Sequence, residues 1–250
     1  MPLEVIVLGG SGTFPAPDAA CSGYLMRSED TALWIDAGPG SFANLQRHID
    51  PTEVNAIILS HLHLDHCTDL FPYSYWKRYG PGKSTPPMDV YAPAGAPELL
   101  GSLAGGDPTF EGHINFKPID QTLILEIDPF ELRFCTTRHP IETYAIRAKC
   151  GTQVVGYTAD TGPSRPVLDF VWGANLLIAE ASNQQATPES APLHMSAAEA
   201  GEMAAQACVS QLALTHIVPG LDHKVSIEQA SRVFRGEVVT TSDNLRLIVY

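Results

Sequence analysis

Residues 61–66 read His-Leu-His-Leu-Asp-His and directly follow the apolar run Asn-Ala-Ile-Ile-Leu-Ser at residues 55–60. This run has the length and the β-branched content of a buried strand. Four side chains that can bind a metal therefore lie within six residues, at the carboxyl end of a predicted strand. Imidazole and carboxylate are the usual ligands of zinc and related ions. Because a polar turn after a strand has no need of this pattern, we predict a metal site here.

Composition sets the broad class of the protein. The chain has 250 residues, 44% of them hydrophobic, with 20 glycines and 20 prolines, which is enough for a substantial core and many turns. Since no linker, repeat or change of composition interrupts it, we predict a single domain over residues 1–250. The formal net charge of −13 disfavours a large nucleic-acid footprint, because binding to the phosphate backbone requires clustered Lys and Arg.

The cysteines indicate a reducing compartment. They are scattered, odd in number and form no C-x-x-C motif: Cys21, Cys67, Cys135, Cys150 and Cys208. A disulfide framework is therefore not expected. Without a signal peptide or an apolar run of membrane-spanning length, we expect a cytoplasmic protein that does not contact a membrane. Cys67 adjoins the histidine cluster, and we interpret it as a small buried thiol beneath the site rather than a ligand.

Strands that end in histidine or aspartate recur along the chain. The pattern seen at His61 and His63 is repeated where later predicted strands end at His139, Asp160 and His216. Open α/β sheets place their sites at such strand ends. These side chains are therefore expected to converge on the cluster at residues 61–66.

The candidate ligands are too many for one tetrahedral ion but suit two ions that share a bridge. They divide into His61, His63 and His139 for the first ion, Asp65, His66 and His216 for the second, and Asp160 between them, because a carboxylate has two oxygens. Two ions about 3.5–4 Å apart can hold a hydroxide and lower its pKa toward neutrality, which gives a nucleophile for a phosphodiester, a thioester or an amide. Zinc, manganese and iron all accept nitrogen and oxygen ligands, so the identity of the two divalent ions stays open.

The candidate proton donor is His194, which stands just before a predicted helix. An imidazole in such a loop can protonate a leaving alkoxide, and Glu180 can orient or charge that imidazole. The alternatives are a plain loop residue for His194 and a buried polar contact for Glu180. We predict Asp65, His194 and Glu180 as the catalytic side chains, with Asp65 also a metal ligand.

Two further features have open interpretations. The glycine-rich residues 9–13 are either an anion-binding loop or a tight turn, and no Walker lysine or following helix supports the first interpretation. Asp36, at the end of another predicted strand, either orients a ligand histidine from behind or caps a turn.

The motif order resembles the metallo-β-lactamase superfamily over nearly the whole chain: H-x-H-x-D-H, then His, Asp and His. The resemblance implies an α/β fold, namely a four-layer αββα sandwich of two mixed sheets flanked by helices, with a dinuclear site at one edge. His66 distinguishes the chain from the antibiotic-hydrolysing members, whose motif usually differs at that position.

Within the superfamily, three segments resemble the ribonuclease Z and cyclic-nucleotide phosphodiesterase branch. They are LGGSG at residues 8–12, EAS at residues 180–182 followed by HMS at residues 194–196, and LALTHIVP at residues 212–219. In ribonuclease Z, the positions that match Glu180 and His194 are implicated in protonating the leaving group. Here Ala179 replaces the histidine that usually precedes the glutamate.

The spacing between His139 and Asp160 bears on the substrate. Ribonuclease Z clamps tRNA with a long arm inserted between these two positions, but only 21 positions separate them here. Two predicted strands and a turn, over residues 143–158, use nearly all of that length. The chain is most similar overall to actinobacterial cyclic-nucleotide phosphodiesterases of this fold, with matching segments at residues 46–48, 59–63, 76–79 and 198–201.

This resemblance implies a dinuclear metal-dependent phosphodiesterase that hydrolyses 3′,5′-cyclic nucleotides, cAMP to AMP, by attack of a metal-bound hydroxide on phosphorus. His194 would protonate the departing 3′-oxygen. The small cyclic phosphodiester is then the expected partner, and relatives indicate a homodimer. The alternatives are a tRNA 3′-processing endonuclease of the ribonuclease Z type, a thioester or lactone hydrolase, and a metal-stabilised binding protein without activity.

Overall fold

The computed structural model describes residues 3–185 and 193–250. Within these ranges, two seven-stranded mixed sheets pack face to face and carry helices on their outer faces. This is the predicted αββα sandwich, which is therefore confirmed. None of the helices in the described ranges is long and apolar enough to cross a membrane.

The first sheet is formed by the amino-terminal half of the chain and the last strand. Its strands are β1 (Leu3–Gly9), β2 (Gly23–Ser28), β3 (Thr31–Ile35), β4 (Ala56–Ile58), β5 (Met88–Ala92), β6 (Ile114–Pro118) and β14 (Arg246–Val249). They lie in the order β14-β1-β2-β3-β4-β5-β6. The pairs from β3 to β6 are parallel, and those from β14 to β3 are antiparallel.

The second sheet is formed by the carboxyl-terminal half. Its strands are β7 (Ile124–Ile127), β8 (Phe130–Thr136), β9 (Tyr144–Cys150), β10 (Gln153–Tyr157), β11 (Leu176–Glu180), β12 (Gln211–Thr215) and β13 (Glu237–Thr240). They lie in the order β13-β12-β11-β10-β9-β8-β7. The pairs from β10 to β13 are parallel, and those from β7 to β10 are antiparallel.

The helices cover the outer faces of the two sheets. They are α1 (Ser41–Leu45), α2 (Leu64–Cys67), α3 (Leu70–Tyr79), α4 (Ala96–Leu103), α5 (Arg165–Phe170), α6 (Ala197–Gln206) and α7 (His223–Ser231). Buried side chains of α1 to α4 pack in one apolar cluster with the first sheet, and those of α5 to α7 pack in another with the second sheet. A third cluster, made of strand residues from both sheets, lies between the sheets.

Strand β1 shows why the central strands are continuous apolar runs. Val5 and Val7 belong to the cluster between the sheets, whereas Ile6 and Leu8 belong to the cluster under the helices. A strand covered on both faces needs apolar side chains at every position. The burial of successive residues therefore fixes these strands in the middle of the sandwich, and the polar segments that follow them lie at its edge.

Candidate metal centre

The predicted ligands lie in loops that follow strands of both sheets. His61, Asp160 and His139 each stand three residues after the last residue of a strand, namely β4, β10 and β8, while His216 directly follows β12. His63 precedes the single turn of α2, which carries Asp65 and His66. Because the two sheets are stacked, these loops meet at one edge of the sandwich.

The first predicted ligand set converges on one oxygen of Asp160. Nε2 of His61 lies 3.5 Å from Asp160 Oδ2, and Nε2 of His139 lies 3.7 Å from the same oxygen. Nδ1 of His63 is 3.1 Å from Nε2 of His139. One ligand atom from each of these four residues fits within a group whose members all lie within 4.8 Å of one another.

The second set converges on the other oxygen of Asp160. Nε2 of His66 and Nε2 of His216 lie 3.4 and 3.5 Å from Asp160 Oδ1. The same two nitrogens lie 3.6 and 3.1 Å from Asp65 Oδ2. The structure therefore places the seven predicted residues in the two sets assigned from the sequence, and Asp160 faces each set with a different oxygen.

Three orphaned atoms show that the residues fit a pair of cations. Among the described residues, Nε2 of His61, Nε2 of His66 and Oδ1 of Asp160 are buried without a hydrogen-bond partner. Each such atom is expected to destabilise a fold by about 1–3 kcal/mol. The distances from the histidine Nε2 atoms to the Asp160 oxygens are longer than a good hydrogen bond. They match the separation of about 3.4 Å between two ligand atoms that each lie about 2.1 Å from one tetrahedral ion.

The protonation of the first ligand set suits metal binding. Burial lowers the pKa of His61 to about 4 and that of His139 to about 4, so both rings are neutral near pH 7 and have a free lone pair. Burial acts to raise the pKa of Asp160, but the charges of His216, His66 and His61 outweigh it and lower this pKa well below its usual range. The bridging residue is therefore a carboxylate.

The second set attracts positive charge. Burial acts to lower the pKa of His66, but Asp160 and Asp36 outweigh it and raise this pKa well above its usual value. The pKa of His216 is also raised, because Asp160 and Asp65 outweigh burial. Divalent cations compete with protons for such nitrogens.

Asp36 orients two ligand rings from behind. Its Oδ2 accepts hydrogen bonds from His66 Nδ1 at 2.9 Å, from the Ser60 hydroxyl at 2.8 Å and from the Tyr157 hydroxyl at 2.8 Å. The Ser60 hydroxyl is in turn 3.0 Å from His61 Nδ1. Of the two interpretations of Asp36, the geometry favours the orienting one, in which Nε2 of each ring faces the site.

Glu180 holds His194 beside the two ligand sets. Its Oε1 lies 3.0 Å from His194 Nδ1 and also accepts the backbone N–H of Thr161 at 2.6 Å. The His194 ring centroid is 5.6 Å from that of His216 and 5.2 Å from that of His139. Burial acts to lower the pKa of His194, but the hydrogen bond and charge of Glu180 outweigh it and raise this pKa. Since the side chain of His194 is 27% exposed, the ring can meet a substrate while it carries a proton.

The N–H groups at residues 11–13 of the glycine-rich loop are taken by the protein itself and are not left for an anion. The N–H groups of Ser11, Gly12 and Thr13 donate to Ala20 O, Ile217 O and Asp65 Oδ2, respectively. A Cβ atom on Gly12 would lie 2.4 Å from the carbonyl oxygen of His216, so only glycine fits there. The loop therefore packs against the second ligand set and holds Asp65 in place.

Three side chains near the motifs in sequence are engaged inside the protein and are not available to a metal or a substrate. Cys67 is buried in the apolar cluster under the helices of the first sheet and belongs to none of the described ligand groups, and burial raises the pKa of its thiol to about 12. Lys77 is buried and donates to Thr85 Oγ1 and Pro86 O, while Arg78 pairs with Asp107 at 2.8 Å. These cations are therefore engaged by the protein itself.

Sequence reasoning missed two serines of the site. Ser60 contacts His61, and the Ser182 hydroxyl lies 2.7 Å from His216 Nδ1. Each lies inside a segment that resembles the family, at residues 59–63 and 180–182, one residue before the first ligand and two residues after Glu180. Serine is so common in turns that this position alone does not distinguish them.

The comparison with protein families agrees with this geometry. A family model described as a β-lactamase superfamily domain matches residues 31–217, which include all seven predicted ligands. The chain belongs to the metallo-β-lactamase superfamily. Its sequence patterns and its sandwich fold are those of this superfamily, so the resemblance noted from the motifs is confirmed.

Within the superfamily, the chain is similar to the probable metallo-hydrolase YhfI of Bacillus subtilis. The two are 33% identical, and the match covers 94% of this chain and 96% of YhfI. The crystal structure of YhfI has a TM-score of 0.91 and covers 99% of this chain and 100% of its own.

More distant relatives include ribonuclease Z. The enzyme of Natronomonas pharaonis is 26% identical, with 97% of this chain and 96% of that protein covered. The crystal structure of the short form of human tRNase Z has a TM-score of 0.77 at 18% identity, and the match covers 99% of both chains. This last similarity shows the shared fold.

Proposed function

We propose that this protein hydrolyses 3′,5′-cyclic nucleotides, with the conversion of cAMP to AMP as its reaction. The broader class, a metal-dependent phosphoric diester hydrolase, is supported by the superfamily, the relatives and the His/Asp cluster. The observation that carries the narrower proposal is the short connection between His139 and Asp160, which has no protruding arm between these two positions.

The connection is a compact hairpin. The N–H of Thr137 donates to Thr143 O, which closes the loop that contains His139. Strand β9 then begins at Tyr144 and pairs antiparallel with β10, with Cys150 opposite Gln153 across the turn. No residue of this segment is left over for an RNA clamp. The alignment with the N. pharaonis ribonuclease Z extends over 300 positions, more than the 250 residues of this chain, so that enzyme contains segments that this chain lacks.

The net charge of the chain and the partners of two nearby cations also support a small substrate. The net charge is −13, and Lys77 and Arg78, near the site in sequence, are engaged by protein groups. An RNA backbone would require a surface of free cations. A single cyclic phosphate needs positive charge only at the metal centre itself.

The chemistry follows from the two ligand sets and the histidine beside them. When bound, two divalent cations supply an activated water and offset the charge that develops on the phosphoryl oxygens. Asp160 holds the two sets together, and Glu180 fixes His194 through Nδ1, which leaves Nε2 to carry a proton. Nε2 donates this proton to the departing 3′-oxygen, and the Glu180 carboxylate stabilises the positive ring before the transfer.

The test is an assay of the purified protein with Mn²⁺ or Zn²⁺, cAMP as substrate and chromatographic detection of AMP. Turnover to AMP supports the proposal. Bis(p-nitrophenyl) phosphate serves as a generic diester in parallel. Cleavage of the generic diester without any turnover of cAMP, with either metal, would reject the cyclic-nucleotide assignment and leave the broader class intact.

A second candidate is tRNA 3′ processing, which the similarity to ribonuclease Z favours. A gel assay on precursor tRNA separates the two functions. Robust cleavage at the 3′ boundary of the tRNA, together with no turnover of cAMP, would favour the nuclease despite the short hairpin.

A further inference from the structure

We propose that Ser182 is a positioning residue that links the Glu180–His194 pair to the second ligand set by fixing the tautomer of His216. The inference rests on the metal centre of the proposed function but not on the identity of the substrate. Ser182 is 4% exposed, so its contacts are formed inside the protein rather than with solvent.

The contacts of the Ser182 hydroxyl determine which neighbouring atom receives its proton. Its oxygen lies 2.8 Å from Glu180 Oε2, 2.7 Å from His216 Nδ1 and 3.3 Å from His194 Nδ1. A serine hydroxyl has one proton to donate, and a carboxylate accepts hydrogen bonds more strongly than a neutral imidazole does. The hydroxyl therefore donates to Glu180.

The hydrogen bond from Ser182 to Glu180 determines which ring nitrogen of His216 carries a proton. Because the Ser182 proton points to Glu180, the 2.7 Å contact is a hydrogen bond only if His216 Nδ1–H donates to the Ser182 oxygen. A neutral imidazole protonated at Nδ1 has its lone pair on Nε2. This is the nitrogen that faces Asp65 at 3.1 Å and Asp160 at 3.5 Å, in the second ligand set.

The same arrangement recurs in the first ligand set. There the Ser60 hydroxyl donates to Asp36 Oδ2 at 2.8 Å and lies 3.0 Å from His61 Nδ1. In each half of the centre, a buried carboxylate, a serine and a ligand imidazole form a chain of two hydrogen bonds. The two serines follow different strands of different sheets, so the repetition reflects a shared task and not a shared segment of chain.

Glu180 therefore serves two histidines. It contacts His194 directly and reaches His216 through Ser182. The proton donor and the second ion then depend on one carboxylate. A change at Glu180 is expected to weaken metal binding as well as proton transfer.

The first test measures metal binding without any substrate. Ser182→Ala, Ser182→Thr and the wild type are titrated with Zn²⁺ against a chromophoric chelator, which gives the number of ions and their affinities. Ser182→Ala should bind one ion normally and the other about 10–100-fold more weakly, as is typical when a hydrogen bond behind a ligand is lost. Ser182→Thr keeps the hydroxyl and should hold both ions. The matched control is Ser41→Ala, which removes a buried hydroxyl that has no hydrogen-bond partner in the described ranges.

The second test replaces the Glu180 carboxylate by an amide and leaves the Ser182 side chain unchanged. In Glu180→Gln the amide N–H₂ can donate to Ser182, whose proton then turns to His216 Nδ1 and selects the wrong tautomer. Glu180→Gln should therefore weaken the same ion, and the double variant with Ser182→Ala should lose less affinity than the two single losses combined.

Some outcomes would overturn the inference. Ser182→Ala that binds both ions with wild-type affinity would do so. So would equal losses of metal affinity in folded Ser182→Ala and Ser182→Thr. A third such outcome is a double variant, Ser182→Ala with Glu180→Gln, whose loss of affinity equals the two single losses combined. Circular dichroism of each variant establishes that it is folded. Because no nucleotide is present, a failure here is distinct from a failure to hydrolyse cAMP.

Discussion

At the scale of single residues, Asp160 is the point at which the two ligand sets join. One oxygen faces His61 and His139, and the other faces His66 and His216. A side chain that offers only one metal-ligand atom cannot belong to both ligand sets. The centre is therefore more sensitive to this residue than to any one histidine.

The first prediction concerns this carboxylate. Asp160→Ala should reduce phosphodiester hydrolysis to the uncatalysed level and lower metal binding, because both ligand sets lose an oxygen. Circular dichroism should show the helix and sheet content unchanged. Asp89→Ala is a matched control, since Asp89 forms a partly exposed ion pair with Lys117 and such pairs contribute at most about 1 kcal/mol. Retained activity in Asp160→Ala would contradict the bridging role.

The second prediction separates proton donation from metal binding. His194→Ala should lower kcat for cAMP by about 10²–10⁴-fold, the usual contribution of a general acid. Turnover of bis(p-nitrophenyl) phosphate should change little, because p-nitrophenolate leaves without a proton. His113→Ala, a change at a histidine outside the described ligand groups, is the control. Equal losses on both substrates would show that His194 is not the proton donor.

At the scale of elements, strand ends and helix caps position the site. The helix α6 begins three residues after His194, and its N-cap Ser196 forms a capping box: the N–H of Ser196 donates to Glu199 Oε2 at 2.7 Å, and the Ser196 hydroxyl accepts from Glu199 N at 3.3 Å. The S-x-x-E spacing of these two residues is the sequence signature of such a cap. The cap therefore fixes where the His194 loop ends.

The third prediction is that Ser196→Ala lowers the free energy of unfolding by about 1 kcal/mol, the typical loss when a helix cap is removed. Chemical denaturation of the metal-free proteins measures it. Ser102→Ala, at an exposed hydroxyl near the end of α4, should change stability much less. An equal effect of the two substitutions would argue against a capping role.

The sequence was sufficient for elements with strong local signals and insufficient for those without them. The β-branched apolar run of β4 predicted a strand, and the histidine or aspartate residues that follow the predicted strands β8, β10 and β12 predicted the site. The edge strand β6 was missed, because only Ile114 of its five residues is buried and the strand depends on pairing with β5. The helix α5 was missed because it has six residues and its buried side chains are limited to Val167 and Leu168.

The hydrogen bonds behind the ligands were also beyond sequence reasoning. Ser60 and Ser182 act through contacts with Asp36 and Glu180, 24 and two positions away in the chain. Only the folded backbone brings each serine between a carboxylate and a ligand ring. By contrast, the clustering of the histidines and aspartates could be predicted, because imidazoles in such a spacing have no role in packing.

At the scale of the whole molecule, the centre connects the two sheets. His61 and His66 come from the segment that follows β4 of the first sheet, whereas His139, Asp160 and His216 come from loops of the second. Divalent ions bound by these residues would therefore cross-link the two sheets, and they would satisfy polar atoms that are otherwise buried without partners.

The fourth prediction follows from this cross-link. Removal of the ions with a chelator should abolish hydrolysis and lower the melting temperature, because ligands that bind only the folded state stabilise it, by about 2.7 kcal/mol at 100 times Kd. Return of Zn²⁺ or Mn²⁺ should restore both. A melting temperature that is independent of metal would show that the sheets do not depend on the ions.

The most direct test of the dinuclear centre is anomalous diffraction from crystals grown with Zn²⁺ or Mn²⁺, measured on both sides of the metal absorption edge. Two peaks are expected about 3.5–4 Å apart, with His61, His63 and His139 around one, Asp65, His66 and His216 around the other, and Asp160 between them. A single peak, or peaks away from these residues, would contradict the dinuclear centre.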